Sequence, residues 1–217
     1  MRPRTHHEVL YRGPEVVARL AKLRVVLCGA GALGSNLADN LVRQGLANLR
    51  VIDRDKVETH NVGTQVYGAG EVGAWKVEAL KNRLFRACGV EIEALNKELT
   101  EKTADRALAG AGLVIDAFDN SASRRLVQEA SRRLALPCLH VGLNADYAEV
   151  LWDESYRVPN DVGGDVCVYP LARNLVLLAV AVASEVVVRF VADGSRENRT
   201  ITLKDYAIRE AASGSRS

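Results

Sequence analysis

The chain has 217 residues, of which 48% are hydrophobic and 26% charged, and its formal net charge is +2. That length suits one α/β domain with at most a small appendage, and the composition supports an ordinary core. The near-neutral balance excludes the strong charge that marks a nucleic-acid-binding protein, so no nucleic-acid partner is expected.

Four cysteines, Cys28, Cys88, Cys138 and Cys167, stand singly along the chain. No zinc ribbon and no disulfide framework can be read from them. The N-terminus carries no signal-peptide pattern, so the cytoplasm is the expected location. The longest apolar segment, 175–188, contains Glu185 and is flanked by Arg173 and Arg189. It is shorter than the roughly 20 apolar residues of a membrane span. It reads as a buried or interface helix, with no membrane contact expected.

In chain order, residues 1–13 carry His6 and His7, then Tyr11-Arg12-Gly13. Pro14 opens a predicted helix with Val16, Val17 and Leu20 on its apolar face. A buried strand is predicted over 24–28. It runs into Gly29-Ala30-Gly31-Ala32-Leu33-Gly34, a G-x-G-x-x-G turn that starts a helix ending before Gly45. Gly29 permits the turn, Gly31 lets a phosphate approach the backbone, and Gly34 lets the helix lie close on the strand. The free N–H groups of that helix would face the phosphate. A second strand, 49–52, ends in Asp53, an acid placed to hold a ribose hydroxyl.

A polar loop spans 53–70, and a loop that long without its own pattern is more often functional than idle. A helix is predicted from about residue 71, carrying Val72, Lys76, Leu80 and Leu84. Residues 90–95 alternate as a strand, and Glu91 and Glu93 place it at a sheet edge. A short helix over 101–109 precedes a buried strand, 113–116. Asp119-Asn120-Ser121 caps the next helix, which runs to about 134. Strands are predicted over 137–141 and 147–152, a loop over 153–168, a long helix over 171–191 and a last strand over 200–203. Residues 1–210 form one predicted domain, and 211–217 a disordered tail.

Strands alternating with helices predict an α/β fold with a doubly wound, mostly parallel sheet. Ligands of such sheets sit beyond the carboxyl ends of the strands. Asp53, Asp55 and Asp119 all fall at or just past predicted strand ends. Three acids on one rim repel one another unless a cation joins them, and Mg²⁺ carried by a nucleoside triphosphate fits that need.

Five patterns occur in order: Gly29 to Gly34; Asp53-Arg54-Asp55-Lys56-Val57; Asn61 with Gln65; Gly73 with Lys76; and Asp116-Ala117-Phe118-Asp119-Asn120. At these spacings the chain resembles the ThiF/MoeB/HesA family of Rossmann-like adenylating enzymes over roughly residues 7–192. The resemblance implies that the C-terminal glycine carboxylate of a small ubiquitin-like or sulfur-carrier protein attacks the α-phosphate of ATP. Pyrophosphate leaves, and an acyl-adenylate remains. It further implies that Gly29, Gly31, Ala32 and Gly34 cradle phosphate and that Asp53 binds the ribose. Asp55, Asn61, Gln65 and Lys76 would line the nucleotide, with Lys76 offsetting charge as pyrophosphate departs. Asp119 would hold Mg²⁺ with Asn120 beside it, and Arg124 would support Asp119. Cys167 stands where relatives carry a thioester- or persulfide-forming cysteine. Relatives also imply a homodimer, with 175–188 as a candidate interface.

Two positions depart from the family pattern. Thr64 stands where relatives have arginine. His7 stands at the register of an early arginine that reaches a partner subunit's site, with Arg12 close enough to take the role. The paired zinc cysteines of many members are missing, so ATP and Mg²⁺ are expected and zinc is not. Other readings stay open for individual residues. Asp119 also reads as a helix cap, Cys167 as a small apolar residue packing its loop, and His140 as a hydrogen-bonded core histidine or a site residue. Cys28, Cys88 and Cys138 read as core or filler, and Trp75 and Trp152 as packing residues.

For the whole chain, the alternative to an adenylating enzyme is a non-catalytic relative that keeps the fold and serves as a binding partner. The glycine turn alone also admits a nicotinamide-dependent dehydrogenase, but Lys76 and the Asp119-Asn120 pair have no place in that reading.

Overall fold

The computed structural model describes residues 2–159 and 170–211. Cys167 and the tail 212–217 lie outside the described residues.

Five parallel strands form one side of an eight-stranded sheet: β1 (Arg24–Cys28), β2 (Asn48–Asp53), β3 (Glu93–Asn96), β4 (Leu113–Asp116) and β5 (Cys138–Asn144). Their order is β3-β2-β1-β4-β5. Three antiparallel strands extend the β5 side in sequence order: β6 (Tyr147–Trp152), β7 (Arg199–Thr202) and β8 (Ile208–Glu210). The sheet is therefore mixed and mostly parallel, as expected. The strand order reverses between β1 and β4, which opens a crevice at their carboxyl ends.

β1 shows why the sheet is covered on both faces. Val25 and Leu27 join one core cluster, and Val26 and Cys28 join another. Four successive apolar residues are thus split two and two by the strand's period. The first face is covered by α2 (Pro14–Lys22), α3 (Ala32–Gln44), α4 (Lys76–Cys88) and α7 (Arg173–Asp193), and the second by α5 (Glu101–Leu108) and α6 (Ser121–Arg133). Cys28 and Cys138 are buried, Cys88 is half-buried, and Trp152 is buried against Phe190. Trp75 departs from its packing reading: it is exposed and carries Lys56 Nζ at 4.7 Å from its ring centre.

Other departures have local causes. α4 begins at Lys76, not near residue 71. Residues Ala69–Glu71 close a 3₁₀ turn, and Gly73 sits at φ 89°, which breaks any helix through it. β3 starts later than read and does lie at the sheet edge, where Glu93 pairs with Arg24 and Arg50. A further helix, α1 (His6–Arg12), buries none of its residues, so it has no apolar stripe to read. Its Arg12 is held by Glu8 at 2.6 Å and by Glu185 of α7 at 2.8 Å. β8 is three exposed residues with no pattern. α7 has 21 residues and is long and apolar enough to cross a membrane by length and composition, unlike the shorter run read from the sequence. Leu175, Val176, Ala179, Ala183 and Val187 bury one side of it in the fold, while Leu177 is exposed.

Candidate nucleotide site

The two walls of the crevice are the turn after β1 and the turn after β4. They touch. A Cβ on Gly29, which sits at φ 99°, would lie 2.8 Å from the Ala117 carbonyl oxygen. A Cβ on Gly34 would lie 2.0 Å from the Gly29 carbonyl oxygen, so α3 can rest on the turn only with glycine there. Gly31 is different, since a Cβ there would meet nothing within 4 Å. The space above Gly31 is open, as a phosphate cradle needs. Gly31 is also the N-cap of α3, and it offers no side-chain acceptor to the first-turn N–H groups, which include that of Leu33.

Asp53 knots this wall. Its Oδ2 accepts the Ala30 N–H and its Oδ1 the Asp55 N–H, both at 2.7 Å. Burial raises its pKa, against the nearby Lys76 charge and the two backbone donors. The Tyr67 hydroxyl donates to the Ala30 carbonyl at 2.8 Å, and burial pushes that phenol upward. The long loop is not loose. Val57 donates to Ala74, Gly73 to Val57, and the Lys76 N–H to the Asp55 carbonyl. These bonds bring Lys76, the first residue of α4, to the crevice rim. Its buried side chain ends 3.1 Å from Asp55 Oδ2. Asn61 is buried, and its Oδ1 accepts the Glu58 N–H. Gln65 is buried as well, and its Oε1 has no hydrogen-bond partner among the described residues. A buried amide oxygen without a partner costs free energy that a donor from a ligand would recover.

On the other wall Asn120 is the N-cap of α6, its Oδ1 accepting the Ser123 N–H at 2.8 Å. The cap role therefore belongs to Asn120, and Asp119 is left exposed, accepting among the described residues only a long 3.3 Å contact from Asn120 Nδ2. Of the three rim acids, Asp53 is tied to backbone donors and Asp55 to Lys76, so among the described residues Asp119 is the rim acid without a cationic or backbone partner. Glycine turn, uncapped helix end, lysine and exposed carboxylate are the groups that Mg²⁺ and a polyphosphate need.

Arg124 does not support Asp119. It is buried behind the wall, where it donates to the Val141 carbonyl at 2.8 Å and to the Tyr156 hydroxyl at 3.1 Å, with Asp116 Oδ2 at 3.5 Å. Its pKa is raised although burial opposes this, because Asp116 and Tyr156 face it.

His140 is a core histidine of an unusual kind. It is fully buried between two carboxylates, with Nδ1 2.8 Å from Asp116 Oδ2 and Nε2 3.3 Å from Asp153 Oδ1. Tyr156 stacks on it at 3.9 Å, and Cys138 Sγ lies 3.5 Å from Nε2. Burial alone would lower its pKa, but the bonds to Asp116 and Asp153 outweigh burial and push it up to about 11. The ring is therefore a cation at neutral pH and donates from both nitrogens. Asp153, despite burial, is drawn down to about 2 by His140, Arg132 and Gln128. No local pattern links positions 116, 124, 140, 153 and 156.

The topology and the crevice at its switch point define an α/β protein of the Rossmann-like kind. The ThiF family model matches residues 7–153, and the chain belongs to that family. Over 127 residues it is 38% identical to a sulfur carrier protein adenylyltransferase of Thermus thermophilus, a match covering 58% of this chain and 47% of the relative. It is 32% identical over 132 residues to the sulfur carrier protein ThiS adenylyltransferase of Bacillus subtilis, covering 59% of this chain and 39% of the relative. Identity to the SAMP-activating enzyme E1 of Haloferax volcanii is 33% over 131 residues, covering 59% of this chain and 48% of the relative. The chain thus spans about half or less of the length of these relatives. Among solved structures, E. coli MccB with ATP superimposes with TM-score 0.82 at 17% identity, covering 99% of this chain and 72% of that one. PaaA does so with TM-score 0.79 at 19% identity, covering 96% and 72%. These likenesses are of fold.

Proposed function

We propose that the chain adenylates the C-terminal glycine of a small ubiquitin-like or sulfur-carrier protein, using ATP. The observation that carries this reading is the pairing of an open Gly31 cradle with an exposed Asp119 across one crevice. In this mechanism the carboxylate oxygen of the partner attacks the α-phosphorus, the bond to the bridging oxygen breaks, and pyrophosphate leaves with that electron pair. The N–H groups at the start of α3 face the phosphates, and Lys76 supplies positive charge where charge develops on the departing pyrophosphate. Lys76 is already held toward the crevice by Asp55. Asp53 accepts from the ribose through lone pairs left by its two backbone donors, and Gln65 Oε1 gains the donor it lacks. Mg²⁺, when bound at Asp119, would neutralise phosphate charge. Transfer of the acyl group to Cys167 follows in this reading, and the protein works as a cytoplasmic homodimer without zinc.

A second reading, a nucleotide-binding relative without turnover, is favoured by two features. Thr64 offers no cation where relatives have arginine, and Arg12 is tied within its own chain to Glu8 and Glu185. ATP–pyrophosphate exchange separates the two. The enzyme reading expects exchange only with a cognate glycine-ended protein, a neighbouring gene's product being the first candidate. ATP binding without exchange from any candidate would favour the second reading. Cys167→Ala is expected to keep exchange and to lose a thiol-sensitive adduct with the partner, and an adduct surviving in the variant would remove Cys167 from the mechanism.

A further inference from the structure

The buried cluster behind the second wall has no place in the mechanism so far. It lies directly under the loop that carries Asp119. Asp116 is the last residue of β4, and its two carboxylate oxygens have different partners. Oδ2 takes His140 Nδ1 at 2.8 Å, with the Arg124 guanidinium at 3.5 Å. Oδ1 accepts the Phe118 N–H at 3.1 Å. Phe118 immediately precedes Asp119. With both cations on Oδ2, Oδ1 is left facing the loop backbone.

The far end of the cluster is fixed just as firmly. Asp153 Oδ1 accepts from Gln128 Nε2 at 2.7 Å, and its Oδ2 from Arg132 Nε at 2.6 Å, both from α6. The Asp153 N–H is bonded to the Cys138 carbonyl of β5. His140 therefore spans from an anchored carboxylate to the one that holds the loop, and Tyr156 stacked on its face fixes the ring plane. A buried ion cluster adds little net stability over apolar packing of the same volume, so its consequence is to select one geometry.

We propose that His140 is a positioning residue. Through Asp116 it fixes the Phe118-Asp119 backbone, and so the carboxylate that would hold Mg²⁺. This rests on the nucleotide reading above only in its last clause, since the hold on the Phe118 amide is independent of any ligand. His140 touches no substrate and acts through Asp116 alone.

The test uses two neutral amides of similar bulk. His140→Asn keeps a donor near the Nδ1 position, toward Asp116. His140→Gln keeps one near the Nε2 position, toward Asp153, and loses the Asp116 bond. Amide hydrogen exchange is measured on the nucleotide-free protein. His140→Gln is expected to speed exchange at Phe118 by about tenfold, the equivalent of one lost hydrogen bond, while His140→Asn stays near wild type. Amides of β1 should be unchanged in both. In parallel, the Mg²⁺ concentration for half-maximal ATP binding is expected to rise about fivefold in His140→Gln and to stay in His140→Asn, within the usual range of coupling between sites. Equal effects of the two variants on Phe118 exchange, or none, would overturn the proposal by showing that His140 only fills the core. A wild type that binds no Mg²⁺–ATP would count against the nucleotide reading alone, and Phe118 exchange would still decide the positioning role.

Discussion

The two walls of the crevice are held by different physics. The β1 wall is a backbone structure: glycines at contact distance, a carboxylate bound to two N–H groups, and a loop folded on its own peptide bonds. Its determinants lie within about one βαβ unit of sequence, the span over which dinucleotide-type turns are specified. The β4 wall is a side-chain structure. Its loop is fixed from beneath by Asp116, Arg124 and His140, with Asp153 and Tyr156 behind them. The first wall fails when a small residue grows. The second fails when a buried charge loses its partner.

Gly34→Val should be the most damaging change, because the new Cβ would meet the Gly29 carbonyl oxygen at 2.0 Å. A clash with backbone belongs at or beyond the upper end of the about 1–3 kcal/mol typical of overpacking. Thermal unfolding should show a large fall in Tm, or no soluble protein. A Tm near wild type would mean that α3 does not lie on the turn.

His140→Phe is next, at about 3 kcal/mol by denaturant titration, because two carboxylates lose a buried partner. The pH dependence has a definite sign. His140 is raised from an ordinary value of 6.5 to about 11. Its stabilisation is complete below pH 6.5 and is lost as pH rises through about 11. The gap between wild type and His140→Phe should therefore narrow through that window. The charged and titratable groups facing the ring are Asp116, Asp153, Cys138, Tyr156, Arg124 and Glu149. A gap that widens toward alkaline pH would show that the ring is neutral in the fold.

The contrast also explains what could be read from the chain alone. The parallel core, its edge at β3 and the Gly29–Asp53 wall were legible because strand period, glycine spacing and apolar runs are local. Asp119 was legible as a rim acid, but its separation from the cap role of Asn120 needed α6 in place. The resemblance implies that Arg124 supports Asp119, whereas its side chain turns inward to Asp116 and Val141. α1 and β8 were not legible because neither buries a residue. The role of Lys76 comes from the family resemblance, and its helix starts at Lys76 because Gly73 interrupts the apolar pattern before it. The exposed Trp75 ahead of it carried no signal of its partner Lys56.

Asp119→Ala should be nearly silent in stability, within about 0.5 kcal/mol, since its side chain is exposed. Adenylation should nonetheless fall by about 100-fold or more, the usual loss for one contact to developing charge. Exchange at the wild-type rate would reduce Asp119 to a loop residue.

Gly31→Ala is the sharpest case, because the protein itself has room for the methyl group and only a ligand would not. The direct measurement is calorimetric titration of Mg²⁺–ATP into wild type and Gly31→Ala, with Tm recorded for both. A single site in wild type, weakened about 30-fold or more in the variant at nearly equal Tm, is the predicted result, a loss of about 2 kcal/mol. Equal affinity in the two proteins, or no binding in wild type, would contradict a nucleotide seated over the β1 turn.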